Sequence, residues 1–217
     1  MEARIDFWFD YVCPYSMINR QVLSKVSSAT GVPVVWHPFE LHPYGPADGG
    51  EYPRELWQDH IRPQAAGVGV RLNGGPPGTP LRRSRLAFAG YQYALEHGVG
   101  AAYNNRVFDA YFSGWSDISD PVELVAVARD LGLDQKEFRA ALMSAGYAAR
   151  HLHAVAVARE QAHVLTVPTI GIGTWRAQKL VHPREVLDAL RAVGAVDDAT
   201  VGAVNGVAVG AQDPAAA

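Results

Sequence analysis

The residue of this chain best suited to chemistry is its single cysteine, Cys13. It opens the tetrapeptide Cys-Pro-Tyr-Ser, where an alternating apolar run stops and a helical pattern starts. Pro14 suits a first helical position, because its fixed φ fits the helix and that position needs no N–H donor. The Cys13 sulfur would then face the unpaired amides of the first turn and the positive end of the helix dipole. We therefore predict a thiolate with a pKa below the free value of about 8.5, with Ser16 as a further hydrogen-bond donor.

A proline near the end of the chain forms the second candidate feature. Pro168, in Thr-Val-Pro-Thr (166–169), lies just before a late apolar run. Proline cannot donate a backbone hydrogen bond within a central strand ladder, so it belongs at the beginning of a strand. The bond before such a proline is often cis, which leaves neighbouring backbone groups facing outward. Cys13 and Pro168 would have to meet in space to make a site. The alternative for Cys13 is a buried, inert thiol, since free cysteine is among the most buried residue types.

The elements that would position these residues follow from hydrophobic periodicity. Residues 4–11 alternate, with Ile5, Phe7 and Phe9 on one face, which predicts a strand. A helical pattern follows Cys13 and closes at Gly31, and residues 32–41 read as a second strand. This strand–helix–strand opening indicates a βαβ unit with a parallel pair of strands.

The middle of the chain has a different character. Loops rich in Gly and Pro at 42–53 and 73–80 flank a region that reads as helical to about residue 161, with helix starts at Asp120 and Asp134 and a stop at Gly132. From residue 163 the chain reads as extended over "HVLTVPTIGIG" and "AQKLV", and "HPREVLDALRAV" reads as a helix. The pattern predicts a small α/β sheet unit that is split by a helical insertion.

Several of these stretches together resemble the DsbA-like branch of the thioredoxin superfamily. They are "DFWFDYVCPYS", "PFELHP", the insertion segment "VFDAYFSGWSDISDPVELVAVARDLGLDQKEF", "VPTIGIG" and "HPREVLDAL", and the match spans residues 4–192. The resemblance implies a thioredoxin-like sheet with an α-helical insertion. It implies a discontinuous thioredoxin-like domain of residues 1–42 and 162–193, an insertion of residues 43–161, and a partly disordered tail of residues 194–217. It also implies that Cys13 is the nucleophile, that Pro168 is the cis-proline opposite it, and that Pro14 and Tyr15 tune the thiolate.

Residue 16 departs from the pattern of the disulfide oxidoreductases, which carry a second cysteine there. Ser16 cannot resolve a mixed disulfide, so an internal Cys–Cys cycle is impossible in this chain. The related 2-hydroxychromene-2-carboxylate isomerases and kappa-class glutathione transferases have motifs resembling Ser-Pro-Tyr-Ser and use glutathione. This chain has "TWRAQKL" where that branch tends to have Gly-Gln-Asp-Arg, so the resemblance to that branch is partial.

Three functional hypotheses follow. The first is a monothiol enzyme in which Cys13 attacks a disulfide, Ser16 supports the thiolate, and glutathione or another low-molecular-weight thiol completes the cycle. The second is a thiol-dependent isomerase or transferase acting on a small aromatic substrate, with His42 as proton shuttle. The third is a non-catalytic descendant that binds a partner or small molecule. The predicted catalytic residues are Cys13 and Ser16, and the predicted substrate-binding residues are Pro14, Tyr15, His42, Val167, Pro168 and Thr169.

Composition limits the partners. A net charge of −3 gives no electrostatic footprint for nucleic acid, and no apolar run is long enough to cross a membrane. A single cysteine and no recognisable secretory signal favour a cytoplasmic location. The histidines at 151, 153 and 163 lack ligand spacing, so we predict no metal site and no tightly bound cofactor. The expected partners are a small-molecule thiol or aromatic substrate, with a homodimer as a candidate assembly.

Overall fold

The architecture is a mixed sheet flanked by helices, seen in a computed structural model that describes residues 3–43, 53–70, 72, 83–197 and 199–200. The sheet has four strands in the order β2-β1-β3-β4. The strands are β1 (Ile5–Phe9), β2 (Val34–Pro38), β3 (Thr169–Ile172) and β4 (Trp175–Ala177). β1 runs parallel to β2 and antiparallel to β3, and β3 runs antiparallel to β4. This α/β arrangement, with helices between β2 and β3, is the fold class that the sequence predicted.

Most of the other described residues are helical. A π-helical segment (Leu56–Ile61) runs directly into α2, and α1 lies between β1 and β2. The α-helices are α1 (Pro14–Thr30), α2 (Arg62–Gly67), α3 (Arg85–Glu96), α4 (Gly100–Phe112), α5 (Pro121–Asp130), α6 (Gln135–Leu142), α7 (Ala145–Glu160) and α8 (Pro183–Ala192).

The helix that carries the candidate site begins and ends where the sequence predicted. Cys13 is the N-cap of α1 with extended backbone, and Pro14 occupies the first helical position. Ile18, Val22 and Val26 recur every four residues and are completely buried, so one face of α1 packs on the core. Gly31 ends the helix at φ 74°, a left-handed conformation that a residue with a Cβ adopts at a cost.

Strand β1 separates two apolar clusters, because its side chains alternate between the faces of the sheet. Ile5, Phe7 and Phe9 point into the larger core, which includes the helices α3 and α4. Trp8 lies on the other face, in a small cluster with Cys13. That small cluster consists of Trp8, Cys13, Phe39, Ala158, Val164 and Val167.

The sequence predicted which segments form strands and helices better than it predicted where each of them begins and ends. β2 covers residues 34–38 rather than 32–41, and the extended run from residue 163 forms a strand only from Thr169. The last strand comes before the predicted "AQKLV" segment and shares only Ala177 with it. Asp120 and Asp134 do cap α5 and α6, each by accepting a backbone N–H bond. Gly132 lies two residues past the end of α5, at φ 75°.

Two domain-level predictions stay predictions. The division into residues 1–42 with 162–193, and 43–161, is compatible with the helices that lie between β2 and β3, and its boundaries stay a prediction. The predicted loops at 42–53 and 73–80 fall mostly outside the described residues. Within the predicted tail, 194–217, residue 198 and residues 201–217 also lie outside them.

Candidate functional site

The thiol of Cys13 lies at the junction between β1 and α1. Its Sγ accepts a hydrogen bond from the backbone N of Ser16 at 3.4 Å, so the sulfur caps the first turn of the helix. The backbone N of Cys13 donates to the carbonyl of Asp10 at 3.1 Å, which closes the turn that brings the chain off the strand. The placement of Cys13 at a helix N-terminus is therefore confirmed.

The second half of the site comes from the other end of the chain. The peptide bond between Val167 and Pro168 is cis, as the sequence predicted. The carbonyl oxygen of Val167 lies 3.6 Å from Cys13 Sγ and accepts a hydrogen bond from the thiol. The predicted meeting of Cys13 with the segment that contains Pro168 is therefore present in the structure.

The predicted charge state of Cys13 is wrong for this structure. Burial raises the pKa of Cys13 to about 11, and the hydrogen bonds from Ser16 and from the backbone of Tyr15 lower it by less. The negative charge of Asp10 raises it further. Cys13 is only 5% exposed, so a thiolate would lose most of its hydration. At neutral pH the group is a protonated thiol, and the helix N-terminus does not overcome the cost of burial.

Ser16 is buried beneath this thiol. Its backbone N–H donates a hydrogen bond to Cys13 Sγ, and its hydroxyl also lowers the pKa of Cys13. The hydroxyl does not reach full hydrogen-bond geometry, since Ser16 Oγ is buried without a partner among the described residues. The O–H of a serine rotates about its C–O bond, so the Ser16 hydroxyl can turn its proton towards a nearby acceptor. Ser16 is therefore placed to support Cys13, and its catalytic role stays a prediction.

The remaining predicted binding residues divide into two groups. Tyr15 is half-buried and contacts both apolar clusters, whereas Pro14 and Pro168 are buried. Thr169 is completely buried at the start of β3, and its Oγ1 donates to the carbonyl of Thr166 at 2.6 Å. These residues surround the junction of Cys13 with the Val167 segment, so they support the geometry of the site.

His42, the other predicted binding residue, is not among the residues that surround this junction. It is exposed at the end of the segment that follows β2, and no hydrogen bond or ion pair links it with Cys13 among the described residues. The assignment of a proton shuttle to His42 gains no support from these contacts.

The aromatic residues near Cys13 do not form one pocket. Tyr11 belongs to the larger core and its hydroxyl donates to the Asn104 side chain. Trp36 also packs against that core, whereas Trp8 lies on the face of the sheet that carries Cys13. Trp8 and His37 stack with ring centroids 4.7 Å apart at the wall of a cavity of about 430 Å³ between the sheet and α7. These aromatic residues are thus divided between the two faces of the sheet.

Sequence reasoning missed a buried acid next to the thiol. Asp10 follows β1 directly and is completely buried. Its carboxylate accepts from the backbone N of Leu41 at 2.8 Å and of Val12 at 3.3 Å. Burial raises its pKa to about 6, while hydrogen bonds from Leu41, Ser84 and Val12 limit the rise. The only sequence signal was its position, a lone acid between an apolar strand and the cysteine.

A second buried acid, Glu40, was also missed. Arg85 Nε donates to Glu40 Oε2 at 3.1 Å, and His151 Nε2 lies 3.3 Å from the same oxygen. His151 is completely buried and stacks on Phe88 with ring centroids 4.7 Å apart, which agrees with a packing role rather than a metal-binding one. Burial would raise the pKa of Glu40, but the hydrogen bonds from His151 and Arg85 outweigh burial and hold the pKa below its usual value.

Two other expectations can be compared with the described part of the chain. Among those residues, no group of three or more His, Cys, Asp or Glu side chains could hold a metal ion. None of the helices described is long and apolar enough to cross a membrane.

Two sequence relatives align with most of the chain. The chain is 35% identical over 178 residues to the uncharacterized protein YwbO of Bacillus subtilis (strain 168), covering 80% of this chain and 88% of that one. It is 29% identical over 175 residues to a 2-hydroxychromene-2-carboxylate isomerase of Pseudomonas putida, covering 78% and 85%.

Solved structures agree on the fold. A probable DsbA oxidoreductase of Streptomyces coelicolor superposes with a TM-score of 0.72 at 23% identity, over 90% of this chain and 92% of that one. The cytosolic disulfide reductase DsbM of Pseudomonas aeruginosa, solved with glutathione, gives 0.65 at 16% identity, over 89% and 100%. The sequence model of the DSBA-like thioredoxin domain matches residues 4–174, most of the chain. This match covers most of the chain, and it agrees with the 35% identity to YwbO and with the cis-proline beside a helix-capping cysteine. The chain therefore belongs to the DSBA-like thioredoxin domain family.

Proposed function

We propose that this protein is a monothiol thiol–disulfide exchange enzyme, in which Cys13 forms a mixed disulfide with glutathione or another small thiol. One observation carries the proposal: Cys13 Sγ lies between the amide of Ser16 and the carbonyl of Val167, with no second cysteine in the sequence. The sulfur is thus held by backbone groups on two sides. A chain without a resolving cysteine needs an external thiol to complete exchange.

The proposed cycle has two balanced steps. In the first, Cys13 loses its proton to solvent, and its sulfur attacks the small-thiol sulfur of a mixed disulfide between the substrate and the small thiol, which forms a new S–S bond between Cys13 and the small thiol. The S–S bond of the substrate breaks, and the substrate thiolate leaves with the electron pair and takes up a proton. In the second, the thiolate of a free small thiol attacks the small-thiol sulfur held on Cys13, the Cys13 thiolate leaves and is protonated, and the oxidised small disulfide is released. The net reaction turns one mixed disulfide and one free small thiol into a substrate thiol and the oxidised small disulfide.

The fraction of Cys13 that is ionised limits the rate of this cycle. With a pKa of about 11, about one Cys13 in ten thousand carries a negative charge at pH 7. A thiolate of high pKa is intrinsically a strong nucleophile, which offsets part of its scarcity. The proposed enzyme is therefore slow when free, and faster where a bound substrate exposes Sγ and lessens the cost of charging it.

Intact-protein mass spectrometry after incubation with oxidised glutathione at pH 8 tests the proposal. We expect one glutathione on the wild-type protein, mapped to Cys13 by peptide analysis, none on Cys13→Ser, and release by reduced glutathione. Labelling of Cys13 in urea shows that the thiol is intact, and circular dichroism shows that the protein is folded. A folded protein with an intact thiol and no adduct would overturn the proposal.

A second candidate is a glutathione-dependent isomerase or transferase acting on a small aromatic substrate. Its support is the 29% identity to the Pseudomonas putida isomerase and the protonated state of Cys13. A neutral S–H can donate a hydrogen bond to a bound thiolate, as a serine hydroxyl can. The cavity beside Trp8 and His37 offers space for such a substrate on the same face of the sheet.

Calorimetry of reduced glutathione with Cys13→Ser separates the two candidates. Binding that survives the loss of sulfur favours the isomerase or transferase, since hydroxyl and thiol both donate. Loss of binding, with adduct formation intact in the wild type, favours exchange. A protein that neither binds glutathione nor forms the adduct would support a non-catalytic role. For all these chemistries we propose a cytoplasmic protein, where reduced small thiols are abundant.

A further inference from the structure

The cavity of about 430 Å³ between the sheet and α7 has an apolar side, which the helix forms. Ala154, Val157 and Ala158 line it, and their spacing places them on one face of α7. Protein interiors are normally filled, and this space stays open because the alanine side chains at 154 and 158 are too short to fill it. Cys13 does not line this cavity.

The side of the cavity that the sheet forms carries charges. Asp6 Oδ1 lies 2.7 Å from His37 Nε2 and 3.1 Å from Arg4 Nε, and its Oδ2 accepts from the same Arg4 nitrogen at 3.2 Å. Burial alone would raise the pKa of Asp6, but the hydrogen bonds from His37 and Arg4 outweigh burial and hold the pKa below its usual value. Asp6 is therefore ionised at neutral pH, and both of its oxygens already have partners.

Arg4 keeps donors that this pairing does not use. Its side chain is 59% exposed at the cavity, and within the described part of the chain only its Nε has a hydrogen-bond partner. The two terminal nitrogens of a guanidinium form a planar edge that matches the two oxygens of a carboxylate. Because the acid in the cavity is already paired, the donors that are left favour a ligand with a negative charge.

The aromatic side chain at the wall of the cavity, Trp8, has both ring faces covered. His37 in β2 stacks on Trp8 with ring centroids 4.7 Å apart, and the guanidinium carbon of Arg176 in β4 lies 5.1 Å from the centroid of the Trp8 ring. The strand order β2-β1-β3-β4 places these two neighbours on opposite sides of Trp8. A planar aromatic ligand would find no free face of Trp8 to stack on, whereas an aliphatic chain can pack on the methyl groups of α7.

We propose that this cavity binds a medium-chain aliphatic carboxylate. The carboxylate accepts hydrogen bonds from the terminal nitrogens of Arg4, and the chain packs along Ala154, Val157 and Ala158. The cavity volume lies near the lower end of the range of about 300–1,000 Å³ that small-molecule sites occupy, which suits a ligand of this size. The inference does not rest on the proposed function, because Cys13 is not one of the lining residues and the ligand undergoes no reaction here.

Titration of the ¹⁵N-labelled protein with octanoate, followed by amide NMR, tests the proposal. We expect saturable shifts at Trp8, Ala154 and Ala158, and an affinity that rises about fourfold for each methylene added from hexanoate to octanoate. Octan-1-ol has the same chain without the charge and should bind about tenfold more weakly. Shifts that do not saturate, or an alcohol that binds as tightly as octanoate, would overturn the inference. Tighter binding of benzoate than of heptanoate, which has as many carbons, would also overturn it and would favour the aromatic substrate of the second candidate function.

Two variants locate the ligand. Arg4→Gln should weaken octanoate binding about tenfold and leave octan-1-ol binding unchanged. Arg129→Gln is its matched control, since Arg129 is also exposed and paired with a nearby carboxylate. Ala154→Leu places a larger side chain in the cavity and should abolish binding of both ligands, whereas Ala149→Leu, at an exposed position of the same helix, should not. Unchanged octanoate affinity in either folded cavity variant would overturn the inference. Cys13→Ser should bind octanoate like wild type, so a failure here is distinct from a failure of the exchange chemistry.

Discussion

The carbonyl oxygen of Val167 accepts a hydrogen bond from Cys13 Sγ across 3.6 Å, although 154 residues separate the two in sequence. A carbonyl oxygen is a partner for S–H and offers nothing to a thiolate, so the contact favours the neutral form. The amide of Ser16 on the other side favours the charged form. The sulfur lies between one group of each kind, and burial decides the balance in favour of the thiol.

The first prediction concerns the reactivity of the free thiol. Because burial raises the pKa of Cys13 to about 11, its alkylation by iodoacetamide should accelerate about tenfold per pH unit from pH 7 to pH 10, without a plateau. Reduced glutathione, measured in parallel, should level off near its own lower pKa. A plateau for the protein below pH 9 would show that the helix N-terminus outweighs burial.

A second prediction links the same thiol to stability. The folded protein holds the Cys13 proton to higher pH than the unfolded chain, so this contribution is complete below about pH 8.5 and is lost as the pH rises towards 11. In urea unfolding at pH 7.5 and 10.5, wild type should lose about 2 kcal/mol more than Cys13→Ala between the two conditions. The comparison cancels the titration of other groups. Equal losses in both proteins would contradict a buried, protonated thiol.

The third prediction restores the missing sulfur. The backbone N of Ser16 lies 3.4 Å from Cys13 Sγ, so a cysteine at residue 16 should be able to bring its own sulfur within bonding distance of Cys13 Sγ. Ser16→Cys should form an internal disulfide on oxidation, seen as the loss of two hydrogens by mass spectrometry. It should also catalyse insulin reduction by dithiothreitol, whereas wild type and Ser16→Ala should not. A folded Ser16→Cys protein that stays a dithiol under oxidising conditions would show that the turn is too rigid to close.

A fourth prediction tests the packing of the helices. A Cβ at Gly90, in α3, would lie 2.7 Å from Phe138 Cζ and would also collide with Tyr103. Gly90→Ala should therefore destabilise the protein by about 1–3 kcal/mol, despite the better helix propensity of alanine. At Gly67, in α2, an added Cβ meets nothing within 4 Å, so Gly67→Ala should be neutral or stabilising. Thermal unfolding of the two variants gives the comparison, and a stable Gly90→Ala protein would be evidence against this packing.

The parts of the site that the sequence predicted are those fixed by local rules. Cys13 and Pro14 mark a helix start through capping preferences alone, and Pro168 marks a strand start because proline cannot donate to a ladder. The charge of Cys13 could not be predicted in this way. It depends on how completely Phe39, Val164 and other residues distant in sequence cover the sulfur.

The burial and the partners of Asp10 and Glu40 could not be predicted from the sequence for a related reason. Neither Asp10 nor Glu40 has a motif, and each looks like an ordinary polar residue at a strand end. Their surroundings come from residues distant in sequence: Arg85 and His151, 45 and 111 residues after Glu40, hold Glu40, and the amide of Leu41, 31 residues after Asp10, holds Asp10. Arg85 itself donates to Glu40 and to the carbonyl of Pro43, two contacts that no local sequence pattern indicates.

The place of β3 beside β1 has a consequence for synthesis of the chain. Phe7 pairs with Ile170, so on that side β1 has no neighbouring strand until residue 170 has left the ribosome. A nascent chain therefore carries an apolar strand, Ile5–Phe9, with one open edge and an uncovered cysteine close behind it. Closing so long a loop is slow compared with forming the helices. Translation that stops short of residue 169 should yield a product prone to aggregation and to oxidation at its one sulfur.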